Sequence, residues 1–299
     1  MNPYTIVRNN QLKTYFILAL FAALFSAVFY AMGQYYGNPN GFFLLGFLIS
    51  VGTSVSSYFW SDKLVLGMTG AKPADKKDYF DLYTVTENLA LAAGLPMPKL
   101  YVIQDDMPNA FATGRDAKHA VVAATTGLLQ RLDRSDIEGV IAHELSHIKH
   151  KDMLLSTILA VLVGALVYAI DFLSRSMMWG GRRDEDNKGS ALWGVLMIIL
   201  IIVTPLLASL IQMAVSRKRE YMADAGGVLL TRNPDGLADA LEKIAAYPQP
   251  MQHGSNATAH LFFANPFKTD ASQKAARWMA NLFSTHPPIE ERVRILRSM

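Results

Sequence analysis

The sequence predicts a mainly α-helical integral membrane protein with a small β-sheet, its transmembrane helices carrying a metal-binding domain on the cytoplasmic side. Three observations predict it. Apolar residues, 51% of 299, are gathered into four blocks. Between the second and third blocks lies a polar stretch with strand and amphipathic-helix patterns. An H-E-x-x-H motif then runs into the third block with no linker.

The blocks are roughly Tyr15–Met32, Phe42–Trp60, Leu154–Leu173 and Ala191–Val215. Each approaches the length of about 20 residues that a helix needs to cross a bilayer. Buried helices of a soluble protein are the competing reading. Block two, rich in Ser and Gly, and block three, with Asp171 near its end, fit a span less well than one and four. "AMG" after block one resembles a signal-peptidase site, but the apolar run is longer than a signal core and a second span follows closely, so block one reads as a retained anchor. Lys and Arg set the orientation. Arg8 and Lys13 precede block one, Lys63, Lys72, Lys76 and Lys77 follow block two, Lys149 and Lys151 precede block three, and Arg217, Lys218 and Arg219 follow block four. All are expected to face the cytoplasm. The loop Ser174–Ser190 carries four basic and three acidic residues, which fits both a full crossing by blocks three and four and a shallow dip. Either way the hairpin returns to the side it left.

This gives an expected organisation of an N-terminal transmembrane hairpin (1–60), a first half-domain with the H-E-x-x-H helix (61–153), a second hairpin (154–215) and a second half-domain (216–299). In the first half, "DYFDLYTVTENLALAAG" reads as an amphipathic helix stopped by Gly94. "PKLYVIQ" and "HAVVAAT" read as strands, with "NAFATG" extended between them and a turn at Arg115–Lys118. Ser135 and Glu138 have capping-box spacing at the start of the motif helix. Further helices are expected at roughly Asp224–Ala246, Ser272–Phe283 and Pro287–Arg297, the last begun by prolines, which suit a helix start.

A net charge of +3 and no long basic run give no reason to expect a nucleic-acid partner. With no cysteine, any transition metal must be held by His, Asp or Glu. His143 and His147 lie four apart on one helical face and can reach one ion, with Glu144 one step round, placed to hold a water. A hydrolytic zinc site takes three protein ligands and keeps one position open. In "SRKREYMADAGG", Glu220 and Asp224 are again four apart. Glu220 is the expected third ligand, and Asp224 the acceptor for the outer N–H of a ligand histidine. A charged helix face near lipid headgroups is the plainer alternative. Geometry favours the ligand reading, because His147 and Glu220 each stand roughly 7–9 Å outside their apolar blocks. An antiparallel hairpin of blocks three and four would bring them to the same height, close to the bilayer surface. Arg219 is expected to pair with Asp224 or substrate, with a headgroup contact as the plainer reading.

"HELSH", "SRKREYMADAGG", "NAFATG" and "THPP" together resemble the HtpX-type membrane metalloproteases, relatives of the CAAX-prenyl endopeptidases in the gluzincin group. The resemblance covers most of the chain. It implies a gluzincin-like metalloprotease domain on transmembrane helices, one Zn2+ per chain, ligands His143, His147 and Glu220, and Glu144 as general base. It also implies a bacterial inner-membrane endopeptidase associated with quality control of membrane proteins under stress. Polypeptide substrates and the lipid bilayer are the partners it implies. Glu144 would take a proton from the attacking water and pass it to the leaving amine. His286 is the oxyanion donor the resemblance suggests, though a loop histidine is as good a reading of the residues. Asn109, Ala110, Phe111 and Ala112 correspond to an edge strand that would bind substrate by backbone pairing. Alone, they read equally as a core strand.

Two other functions fit the sequence: a processing peptidase for one lipidated or otherwise dedicated membrane substrate, and a non-catalytic membrane scaffold with an inert metal site. Glu144 argues against the scaffold, because a purely structural site has no use for that base.

Overall fold

The computed structural model describes residues 3–180, 217–252, 255, 258–266 and 287–299. The fourth apolar block, most of the charged loop before it, the expected helix Ser272–Phe283 and His286 lie outside these residues.

The first two helices form an antiparallel hairpin, α1 (Pro3–Tyr36) and α2 (Pro39–Thr69). Gly37, at φ 76°, makes the reversal, and Asn38 caps α2 by accepting the Gly41 N–H at 3.0 Å. Leu12–Tyr30 and Pro39–Thr69 are long and apolar enough to cross a membrane. The Ser and Gly content of block two is where the hairpin closes. A Cβ on Gly46 would stand 2.6 Å from Phe29 Cβ, so only glycine permits this approach. Buried Ser50 and Ser57 donate to their own helix carbonyls at 2.7 and 2.8 Å, so neither hydroxyl is left unsatisfied. Helix α2 runs nine residues past the predicted block, through a non-helical Trp60 (φ −125°, ψ 16°), and stops at left-handed Gly70.

A four-stranded sheet follows, with β1 (Lys72–Pro73), β2 (Lys99–Ile103), β3 (Ala110–Thr113) and β4 (Val121–Thr125) in the order β1-β2-β4-β3. Strands β2 and β4 are parallel, and the outer pairs are antiparallel. Between β1 and β2, α3 (Phe80–Ala93) ends at Gly94, φ 68°, as expected. The short α4 (Thr126–Arg131) leads to the motif helix α5 (Arg134–His150). Its cap differs from the expected one. Asp133 and Asp136 form the reciprocal box two residues earlier, and Ser135 Oγ instead accepts from Asn233 Nδ2 at 2.9 Å. Asp has the same short acceptor geometry as Ser, so the pattern occurred twice and the first one acts. Lys243 also reaches Asp133 and Asp136.

Helix α6 (Met153–Gly180) begins three residues after α5 ends, the turn being made by Lys151 at φ 57°. The helix expected over Asp224–Ala246 is two, α7 (Arg217–Thr231) and α8 (Pro234–Ala246). The break falls at Arg232, φ 54°, with Asn233 capping a helix that starts on proline. The last helix is α9 (Ile289–Leu296).

Alternation along the strands separates two cores. Leu100, Val102, Ala112, Val122 and Ala124 face α3, α5, α8 and α9. Ile103, Phe111 and Ala123 face Val65 of α2 and Ala160 and Val161 of α6. From another face of the same stretch of α6, Leu155, Ile158, Leu159 and Leu162 pack on Ile17, Phe21 and Phe25 of α1. The sheet is thus clamped between the metal-motif helix and the apolar helices.

Helix α5 is central, and Gly139 sets its distance to α8: a Cβ there would meet the Leu237 backbone at 2.7 Å. Gly139→Val should force the two helices apart at a cost of about 1–3 kcal/mol, the range for overpacking. The expected outcome is a thermal midpoint several degrees below wild type in detergent.

Candidate metal centre

Helix α5 presents His143, Glu144 and His147, and α7 presents Glu220 and Asp224 on its buried face together with Ala223 and Gly227. Small residues allow the two helices to meet. A Cβ on Gly226 would lie 2.2 Å from Ser146 Oγ, and one on Gly227 3.1 Å from the His143 amide nitrogen. The glycine pair of "ADAGG" is therefore what lets Glu220 and Asp224 reach α5.

The approach brings three donors together. His143 Nε2 and His147 Nε2 are 3.1 Å apart. Glu220 places Oε2 3.7 Å from the first nitrogen and Oε1 3.7 Å from the second. A tetrahedral ion with ligand bonds of about 2.0–2.1 Å requires donors about 3.3–3.4 Å apart. The 3.1 and 3.7 Å spacings bracket that size, with a different carboxylate oxygen facing each imidazole, so these residues fit a small divalent ion. Among the described residues this is the group of His and carboxylate side chains that could hold one.

Electrostatics point the same way. Burial pulls the His147 imidazole's pKa down, but Asp152, Glu220 and Glu144 together pull it up further, to about 9. A dication among these carboxylates would replace that proton. His143 behaves oppositely. Burial lowers it to about 4 against the pull of Asp224, so it is a neutral imidazole at ordinary pH. Asp224 Oδ1 lies 2.9 Å from His143 Nδ1. That carboxylate accepts the Nδ1–H, which leaves the Nε2 lone pair to face the cleft.

Asp224 is held in turn. Arg292 of α9, 1% exposed, donates from Nε to Oδ2 at 2.9 Å and from Nη2 to Oδ1 at 2.6 Å. Burial raises the carboxyl's pKa, and Arg292 and His143 outweigh it, holding Asp224 at about 2. Phe263 fills the space beside them, edge-on to the His143 ring at 4.9 Å and under the Arg292 guanidinium at 4.8 Å.

Arg219 does not meet Asp224. Its Nη1 lies 3.8 Å from Asp152, which stands 3.6 Å from His147 Nδ1. The guanidinium on Asp224 comes from Arg292, which the sequence offered only as one charge in "EERVR". Asp152 and His260 were also missed. His260 lines the cleft with Glu144, Arg219 and Ala112, and bonds the Ser156 carbonyl at 3.0 Å.

Strand β3 lies at the sheet edge, and its residues part company. Asn109 exchanges two hydrogen bonds with the Ala264 backbone, at 2.8 and 3.0 Å, and the Ala110 carbonyl accepts the Phe263 N–H at 2.7 Å. Phe111 turns into the opposite core, against Phe262. Ala112 has the same parity as Ala110, so its N–H and C=O also point away from β4, and it lines the cleft. Of the four residues expected to bind substrate, Ala112 is the one the structure brings to the cleft.

Residues 77–299 match the profile of peptidase family M48. The chain belongs to peptidase family M48. It is 43% identical over 301 residues to a protein named Protease HtpX homolog of Thermoanaerobacter pseudethanolicus, across 99% of this chain and 97% of that one. A namesake from Dictyoglomus turgidum is 43% identical over 302 residues, across 100% of this chain and 96% of its own. A third, from Tropheryma whipplei strain Twist, is 42% identical over 296 residues, covering 99% and 98%. This M48 protein is a metalloendopeptidase with two helices long and apolar enough to cross a membrane.

Replacing Asp224 with Ala should lower divalent-metal affinity by about 10–100-fold in chelator competition, the range for losing a carboxylate behind a ligand histidine. Arg297→Ala, which frees exposed Asp235, Asp239 and Glu242 on α8, should leave that affinity unchanged.

Proposed function

We propose that this chain is a zinc-dependent endopeptidase of the bacterial inner membrane. It is multi-pass, its active site stands on the cytoplasmic face, and it hydrolyses peptide bonds of misfolded or damaged membrane proteins. One observation carries the reading: two imidazole nitrogens and a carboxylate oxygen, from helices distant in sequence, converge within 4.8 Å of one another in a buried cleft. A His2Glu set without thiolate suits zinc, one per chain. Lys and Arg at the span ends support the cytoplasmic orientation, and the HtpX relatives support the quality-control role.

His143, His147 and Glu220 would hold the ion. Zinc bound there would supply Lewis acidity, acidifying water and polarising the scissile carbonyl. The Glu144 carboxylate, buried at the cleft wall, takes the attacking water's proton and returns it to the leaving nitrogen. Asp224 keeps His143 in the tautomer that presents Nε2, and Arg292 keeps Asp224 in place. Asp152, with Arg219 beside it, stands behind His147. Ala112 pairs with the substrate backbone through its outward N–H and C=O, a mode that reads few side chains and suits varied unfolded chains. His286 is assigned the oxyanion on the family resemblance.

Glu144→Gln should keep its zinc and lose casein cleavage by about 10²–10⁴-fold, the span of general acid–base catalysis. If zinc-loaded wild type cuts nothing that the variant spares, the protein is not a protease. Ala112→Pro removes the outward N–H without touching the β4 ladder. It should lower kcat/KM roughly tenfold, as for one lost hydrogen bond of about 1.4 kcal/mol, with zinc content unchanged.

A further inference from the structure

Helix α2 is too long for a bilayer. Its 31 residues extend about 46 Å, against a hydrocarbon core of about 30 Å. Standing upright, it would leave about ten residues outside that core. The apolar surface does not stop where the core should. Large exposed side chains run along α2 from Phe43 through Leu48 and Val55 to Phe59 and Trp60, then continue at Leu64 and Met68, 40% and 39% exposed. Residues 60, 64 and 68 share one helical face. The neighbouring face, one residue round, is committed: Val65 packs on Ile103, Phe111 and Ala123 of the sheet, and Ser61 and Thr69 are buried.

The position of the bilayer surface follows from the hairpin. Gly33 lies against Phe42, and Gly46 against Phe29. The same register carried down both helices sets Trp60 opposite Tyr15, also exposed. Paired aromatics at one level are what a membrane interface selects. Exposed Lys63 follows Trp60, and the Arg115 guanidinium sits 5.9 Å over the Phe59 ring, so two cations stand at that level. At this height α2 also has its non-helical residue, Trp60.

Resting on the membrane-spanning reading above, we infer that Trp60–Thr69 lies within the phospholipid headgroup layer. Trp60, Leu64 and Met68 are turned into it, with Lys63 and Arg115 at headgroup phosphates. The occupant of the exposed stripe is the bilayer surface, by continuity with the lipid-facing side of the same helix. A segment that continued upright would put Met68 about 12 Å beyond Trp60, outside a headgroup layer of about 5–8 Å. The kink at Trp60 gives the segment a point at which to turn along the surface. Because the neighbouring face of this segment holds the sheet, the catalytic domain is seated on the membrane. Along β3, Ala112 is then about 10 Å from Arg115 at the surface. Chain segments next to the bilayer are therefore the first to reach the cleft.

The chain has no cysteine, so single nitroxide labels can be placed cleanly. The variants L48C, L64C, M68C and L91C are labelled and reconstituted in phosphatidylethanolamine–phosphatidylglycerol vesicles, and collision with oxygen and with a water-soluble nickel chelate is measured by power saturation. Leu91 on α3, 82% exposed, is the aqueous reference. Labels at 64 and 68 should meet the nickel chelate several-fold less than the label at 91, and oxygen more. Nickel accessibility at 64 and 68 equal to that at 91, with 48 protected, would overturn this inference and spare the span. Nickel accessibility at 48 would overturn the span and the inference with it. Dipolar broadening at 64 or 68 would show a second copy on the stripe and also overturn it.

Discussion

Negative charge buried at one helix crossing is the constraint on which this structure depends. Glu144, Glu220 and Asp224 are each almost fully buried where α5 meets α7, and Asp152 lies just beyond His147. Carboxylates withdrawn from water are costly unless paired. The arrangement provides for a cation on each of two opposite sides. Arg292 takes Asp224 through a two-point fork behind His143. On the cleft side, Glu220 and the two Nε2 atoms form a triangle sized for a divalent ion. His143 separates the two, neutral and oriented, so the arginine and a bound metal would lie at opposite edges of one ring.

That arrangement explains features otherwise unconnected. The paired glycines of α7 allow the close helix approach seen here, where a Cβ would meet Ser146 and the His143 backbone. Phe263 supplies an apolar wall to both His143 and Arg292 while its backbone seals β3 at Ala110. The edge therefore opens at Ala112, beside the metal triangle. On the other face of the sheet, α2 and α6 join the catalytic domain to the apolar helices through Phe111, Ala123 and Val65. The metal helix passes into α6 through a single left-handed residue, Lys151. Among the described residues, no linker separates the motif helix from the apolar helix α6.

Much of this was legible in the sequence because its signals are local. The spacing of His143 and His147, the parity of "PKLYVIQ" and "HAVVAAT", and Gly94 as a helix stop each depend on neighbours within one or two turns. Glu220 and Asp224 could be read because they share a face and stand at a matching height beyond an apolar block. Arg292 could not. It lies in a short charged helix among Glu290, Glu291 and Arg294, and its burial is decided by α7, far away in the chain. Asp133 and Ser135 offered the same capping spacing, and which one caps depends on Asn233 claiming the serine. The extension of α2 to Thr69 was hidden because Asp62 and Lys63 interrupt the apolar run. The closure of Asn109 and Ala110 depends on a segment more than a hundred residues away.

The central claim is a single coordination sphere assembled from α5 and α7. X-ray absorption at the zinc edge, on the purified full chain loaded with one equivalent, tests it most directly. The account predicts two imidazole nitrogens and carboxylate oxygen in the shell, with bonds of about 2.0–2.2 Å. It further predicts that Glu220→Ala removes the carboxylate while both imidazoles remain. A wild-type shell with fewer than two imidazoles, or one unchanged by Glu220→Ala, would contradict it.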